Sequence, residues 1–243
     1  MCIIAIKKSG LKMWDKKQLE IMFVNNPDGA GFMFYDAKIK KVVIKKGFMT
    51  LDSLLKALSD RDYTDTNVIL HFRIGTSGKF NKLNCHPYPI YQKNKLDCAT
   101  NLGMAHNGIL RAYIPPKNSD INDTQVFIQC VLKWLEKGFI YDNDKMNLIG
   151  EIIGSNKLAF LDNKNEIRLV GDFIEDNGYI YSNSSYKQYK RTQRAYKPKK
   201  TTAGALECAS SQPTSYEKNV DIWGEPNEET SDFWHWFDNK FIY

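Results

Sequence analysis

The chain has 243 residues, of which 42% are hydrophobic and 13% aromatic, so a wholly disordered protein is excluded. That length suits one core of about 150–200 residues with extras, or two small domains. No run of about 18 apolar residues occurs, which excludes a membrane-spanning helix, and the opening MCIIAIKKSG is too short in apolar residues for a secretory leader. Five cysteines, at 2, 85, 98, 130 and 208, form no CxxC pair. A disulfide framework or structural zinc site is therefore not expected, and a reducing, cytoplasmic setting is. The formal charge of +6 is unevenly spread: residues 187–200 hold seven Lys or Arg and no acid, whereas 201–243 hold eight acids against Lys218 and Lys240. Tyrosines at 186, 189 and 196 could stack on nucleic-acid bases. A solvated linker, or a charge partner for the acidic end, is the simpler reading, because nothing else resembles a nucleic-acid module.

Cys2 to Ile6 is a short apolar, β-branched run that reads as a buried strand. Gln18 to Val24 has helical spacing, and Gly31 to Tyr35 with Lys41 to Lys46 reads as a strand pair around the polar Asp36–Lys40 turn. Leu51, Leu54, Leu55 and Leu58 share one face of a helix whose first turn holds Asp52. Val68 to Phe72 is a strand, and the polar stretch 75–101, too long for a plain connector, reads as a functional loop. Leu102 to His106 is a further strand, followed by the turn signal Asn107–Gly108. Asp120 to Lys137 gives the strongest helical pattern, and a second helix covers about 145–154. Lys157–Leu161 and Glu166–Val170 read as a hairpin, and Tyr179–Tyr181 as a last strand. Strands separated by helices, with hairpins among them, predict a layered α/β or α+β domain.

Three features could carry chemistry. If Met1 is removed, the α-amine of Cys2, with an ordinary pKa of about 7.7–8, becomes available as general base for its own thiol. On its own, Cys2 is read more simply as a small buried residue opening a strand. In His106–Gly108 (HNG), an Asn amide beside a backbone N–H can form a two-donor oxyanion hole. A hairpin turn is the simpler reading there. Arg73, leaving a strand into a Gly/Thr/Ser loop, can grip a carboxylate bidentately, although a surface ion pair would also account for it. His71, His86 and His106 are too far apart in sequence for a metal motif, so structural roles and no metal are expected.

The segments follow in the order Cys2, NPDGAGFMFYD (Asn26–Asp36), HFRIGTSG (His71–Gly78), NCHPYPI (Asn84–Ile90), AHNGIL (Ala105–Leu110) and NDTQVF (Asn122–Phe127). In that order, from Cys2 to about Ser185, the chain resembles the class II glutamine amidotransferases, which are N-terminal-nucleophile hydrolases. The similarity is to small stand-alone members with an NPDGxG segment rather than to large synthetases. The resemblance implies an α+β fold, a four-layer α-β-β-α sandwich, no cofactor, and a glutaminase mechanism. By the same resemblance Cys2 is the nucleophile, and Asn107 with the N–H of Gly108 holds the oxyanion. Arg73 would bind the substrate α-carboxylate with Thr76 beside it, and Asp123 the α-ammonium group. Asp28 and Gly29 would shape the wall, and His86 would sit in the closing loop. Many family members have histidine where this chain has Ser77.

Three regions are therefore expected: an amidotransferase-like body over 1–186, a basic and then Ser/Thr/Pro-rich linker over 187–215, and an acidic aromatic tail over 216–243. No synthetase or acceptor domain is evident after residue 186, so an acceptor for ammonia would lie on another protein. The ending TSDFWHWFDNKFIY is a candidate docking segment, for the body or for a partner. The expected ligand is glutamine or a related small amide; binding to nucleic acid or membrane is not expected. A non-catalytic interaction module on the same scaffold and an amidohydrolase for another small amide stay open as alternatives.

Overall fold

Five consecutive residues, Ile3–Lys7 (β1), are buried without alternation, which a strand achieves only when both faces are covered. A computed structural model describes residues 2–75, 81–117 and 119–188. Within them β1 runs antiparallel between β4 (Val68–Phe72) and β11 (Tyr179–Tyr181). The sheet continues through β2 (Ala30–Asp36), β3 (Lys41–Phe48) and β6 (Asp97–Thr100), with β10 (Ile174–Asp176) at the other edge. Its order is β10-β11-β1-β4-β2-β3-β6. A second, four-stranded antiparallel sheet has the order β5-β7-β8-β9, formed by Tyr88–Pro89 (β5), Leu102–Asn107 (β7), Lys157–Asp162 (β8) and Ile167–Val170 (β9).

The side-chain period of two sorts each strand between two cores. Ile3 and Ala5 of β1, with Phe32 and Phe34 of β2, pack against Leu19 and Met22 of α1 (Lys16–Asn25) and Leu54 of α2 (Leu51–Leu58). Ile4, Ile6, Met33, Ile44 and Ile69 point the other way and meet Ala105, Ala159 and Leu161 of the second sheet. The far face of that sheet, through Met104, Leu158 and Phe160, packs on Phe127 and Ile128 of α3 (Asp123–Cys130) and on Ile149 and Ile153 of α4 (Asn143–Ile153). The fold is α+β, with two facing antiparallel sheets and helices on their outer faces, an arrangement compatible with the sandwich expected. No helix among the described residues is long and apolar enough to cross a membrane.

Several expectations need correction. The stretch 75–101 is no plain loop: Asp97–Thr100 pairs with β3, and Tyr88–Pro89 with β7. Strand alternation is hidden there because the strands are two to four residues long and one contains proline. Asn107–Gly108 is not a hairpin turn, since β7 pairs with β5 and β8. Asp120–Lys137 is not one helix. A capping box between Asn122 and Gln125 starts it at Asp123. The chain leaves the helix at Val131 and turns through a 3-10 segment that buries Leu132 and exposes Trp134. The tail, 216–243, and the linker beyond Gln188 lie outside the described residues.

Candidate active site

Cys2 immediately precedes β1, where the strand's register sets it opposite the residues that follow β4. Its Sγ accepts a hydrogen bond from Ile74 N at 3.2 Å and lies 3.4 Å from Ile74 O, and Asn183 Nδ2 donates to its carbonyl at 2.7 Å. Burial pushes the thiol pKa up, opposed by the Ile74 N–H and by the Arg73 guanidinium. The thiol is thus held protonated, and its activation needs a base.

Arg73 directly follows β4, is 3% exposed, and has its backbone clamped on both sides: its N donates to Gly29 O at 2.8 Å, and Asp28 N donates to its carbonyl at 2.9 Å. Asp28 Oδ2 in turn accepts from Gly75 N at 2.8 Å. Gly29 has φ of +110°, and a Cβ there would stand 2.7 Å from Cys85 Sγ. Asp28 and Gly29 therefore shape the turn that carries Arg73. The guanidinium lies over Gly75, and a Cβ on that residue would be 3.4 Å from it.

A small cleft joins Cys2, Arg73 and Ile74 to His86, His106, Gly108, Asn122, Asp123 and Thr124. Asp123 opens α3, where the positive end of the helix dipole favours a carboxylate, and its Oδ2 accepts from Leu110 N at 2.7 Å. Gly108 has φ of +142°, and a Cβ on it would stand 1.8 Å from Asn156 Oδ1, so glycine is required. His86 belongs to a segment laid over β2: a Cβ on Gly31 would lie 2.2 Å from His86 O. Lys46 holds the same segment, donating to Leu83 O at 3.1 Å with its ammonium 3.8 Å above the Tyr88 ring. Burial drives the Lys46 pKa well down.

The three histidines, distant in sequence, meet in space, with ring centroids 4.3 Å apart for His71 and His86 and 6.1 Å for His86 and His106. Hydrogen bonding fixes their tautomers. The Asn156 amide nitrogen donates to Ile153 O, so its Oδ1, 3.2 Å from His106 Nε2, is the acceptor there. His106 Nδ1 is then an acceptor, and the Thr124 hydroxyl donates to it at 2.8 Å. The Thr124 oxygen in turn accepts from His86 Nε2–H at 3.2 Å, and His71 Nε2–H donates to His106 O at 3.0 Å. Burial depresses all three pKa values, that of His71 to about 3, so the cluster is neutral at pH 7. Among the described residues no group of three or more His, Cys, Asp or Glu is arranged to hold a metal ion.

Of the sequence-predicted site residues, Cys2, Arg73, His86, Gly108 and Asp123 line one cleft, and Asp28 and Gly29 back its arginine. The Asn107 amide lies against Ser182 Oγ at 2.8 Å, on the side of the strand that faces the other sheet. Thr76 lies outside the described residues. Thr124, Asn156 and Ser182 were missed. Only the first had a local signal, the capping spacing Asn122-x-x-Gln125 around it.

A buried thiol, an arginine and a helix-terminal carboxylate thus line one cleft. No protein-family model matches the chain. It is similar to the glutamine--fructose-6-phosphate aminotransferase [isomerizing] of Methanothermobacter thermautotrophicus, 24% identical over 153 residues. The match covers 59% of this chain and 24% of that protein, so the chain spans about a quarter of that relative's length. The likeness supports a distant relation to a glutamine-using amidotransferase.

Proposed function

We propose that this chain is a class II glutamine amidotransferase domain of the N-terminal-nucleophile hydrolase type. In this reading it hydrolyses glutamine to glutamate and ammonia. The observation that carries the reading is the convergence of Cys2, Arg73, Asp123 and Gly108 on one cleft. A free amino acid needs a cation for its carboxylate and an anion for its ammonium group; Arg73 and Asp123 supply these in the cleft that holds the thiol. Once Met1 is removed, the α-amine of Cys2 takes the thiol proton as Sγ bonds to the amide carbon. Asn107 and the N–H of Gly108 hold the oxyanion. The C–N bond then breaks, the amine returns its proton to the leaving ammonia, and water cleaves the γ-glutamyl thioester. Thr76 would stand beside the bound carboxylate, and the His86 segment would cover the site.

The division into a body over 1–186, a linker over 187–215 and a tail over 216–243 belongs to the same proposal, as do a separate acceptor protein for the ammonia and a cytoplasmic setting. Ammonia release from glutamine by the protein lacking Met1, and its loss in Cys2→Ala, is the expected result. Equal release by both proteins would overturn the reading. Mass spectrometry of the amino terminus establishes which form is assayed.

A further inference from the structure

Ser182, directly after β11, stands between the strand that carries the nucleophile and the amide expected to hold the oxyanion. Its Oγ accepts from Ile4 N at 2.8 Å and lies 2.8 Å from the Asn107 amide, and all three groups are buried. With the amide nitrogen turned toward Ser182, two donors converge on one hydroxyl. The hydroxyl's own proton then has no acceptor among the described residues, and Asn107 Oδ1 is buried without a hydrogen bond. One rotation of the amide gives the hydroxyl proton an acceptor and Asn107 Oδ1 a donor. It also turns the Nδ2 donors to the partnerless place Oδ1 held, where only an incoming acceptor would pair them. The oxygen and nitrogen of an Asn amide are assigned by their bonding network.

We infer that Ser182 is a positioning residue whose hydroxyl donates to Asn107 Oδ1, holding the Asn107 Nδ2 donors at the place Oδ1 occupies here. The Ile4 N–H occupies one of the two Ser182 lone pairs, and Asn107 Oδ1, once turned toward it, is the acceptor for the hydroxyl proton. Ile4 lies two residues after Cys2 on the same chain segment, and Gly108 follows Asn107. One hydroxyl therefore ties the nucleophile's strand to both proposed oxyanion donors. The role rests on the glutaminase reading above, whereas the amide orientation does not.

Two measurements test the two parts. An atomic-resolution crystal structure of the unmodified protein distinguishes N from O in the Asn107 amide. Oxygen facing Ser182 supports the inference whether or not glutamine is a substrate, and nitrogen facing Ser182 overturns it. In glutaminase assays Ser182→Ala is expected to lower kcat about tenfold or more with KM changed less than twofold, since an oxyanion donor acts in the transition state. Combined with Asn107→Ala it should add nothing to the loss from Asn107→Ala alone. Multiplicative losses in the double variant, or a loss confined to KM, would overturn the positioning role. Matching thermal melts of Ser182→Ala and the unmodified protein separate the effect from unfolding. If the amide is oriented as inferred while the unmodified protein lacking Met1 releases no ammonia, the glutaminase reading fails and the Ser182–Asn107 bond stands.

Discussion

His71, His86 and His106 sit at 0%, 5% and 2% exposure, and each spends its Nε2 proton on an oxygen. Burial is the main reason their pKa values are depressed; Arg73 and Lys46 add repulsion at His71 and His86, whereas Asp123 partly offsets burial at His106. In the unfolded chain histidine titrates near 6.5, so below that pH the unfolded state binds more protons than the folded one. Stability contributed by the cluster is therefore full above about pH 6.5 and falls as pH drops toward about 3, the folded value for His71. Asp36, Asp60 and Asp142, whose pKa values are lowered from 3.8, begin to act only at lower pH, so the histidine window stands apart. Between pH 7.5 and 5.5, urea denaturation should show a loss of about 1.4 kcal/mol from His71, with His86 and His106 acting in the same direction. An identical unfolding free energy at both values would mean the imidazoles are not held neutral. The cluster was not legible from residue spacing, because its contacts join positions 35 and 38 residues apart. Cys2, Arg73, His86, Gly108 and Asp123 are singled out only by the order of their segments, since each alone has a plainer structural reading.

At the scale of elements, α3 is where the site depends most on one cap. The Asn122 side chain accepts from Gln125 N at 3.0 Å, while its amide donates to the hydroxyl of buried Tyr88 at 2.8 Å. Removing it strips the helix start and leaves a buried hydroxyl short of a partner. Asn122→Ala is expected to cost about 2–3 kcal/mol in urea unfolding, from the cap and the buried hydroxyl together. It should also raise KM for glutamine, because Asp123 is the next residue; an unchanged KM in a destabilised protein would separate the cap from the site. The helix start could be read from Asn122 and Gln125, but not its end, because Asp123–Ile128 is buried all round and leaves no polar stripe to count. Of the main sheet, β1 to β4 and β11 were legible from their apolar runs. Short β5, β6 and β10 were not: pairing with a neighbour, not composition, makes them strands.

On the scale of the molecule, the question is where the fold ends. Among the described residues, the three apolar clusters are built from residues between Ile3 and Tyr186. The last described segment is firmly tied down: Tyr186 stacks on Tyr181 with centroids 3.8 Å apart, and Gln18 Nε2 donates to Tyr186 O. Asn25 Nδ2 donates to Ser185 O at 2.8 Å, so α1 grips the chain on both sides of this turn. Just before it, β11 pairs with β1 and brings Ser182 to Ile4 and Asn183 to Cys2. A chain ended after Gln188 thus keeps every cluster of the described residues, whereas one ended after Gly178 loses β11 and Tyr186, exposes one edge of β1 and opens the packing around Trp14. The first truncation is expected to unfold cooperatively within a few degrees of the full chain, a shift equivalent to about 1 kcal/mol or less. The second should lack a cooperative transition. Circular dichroism melts of the two proteins decide the matter: a chain ending at 188 that fails to fold would show that residues beyond it belong to the folding unit, and a folded chain ending at 178 would show that β11 does not.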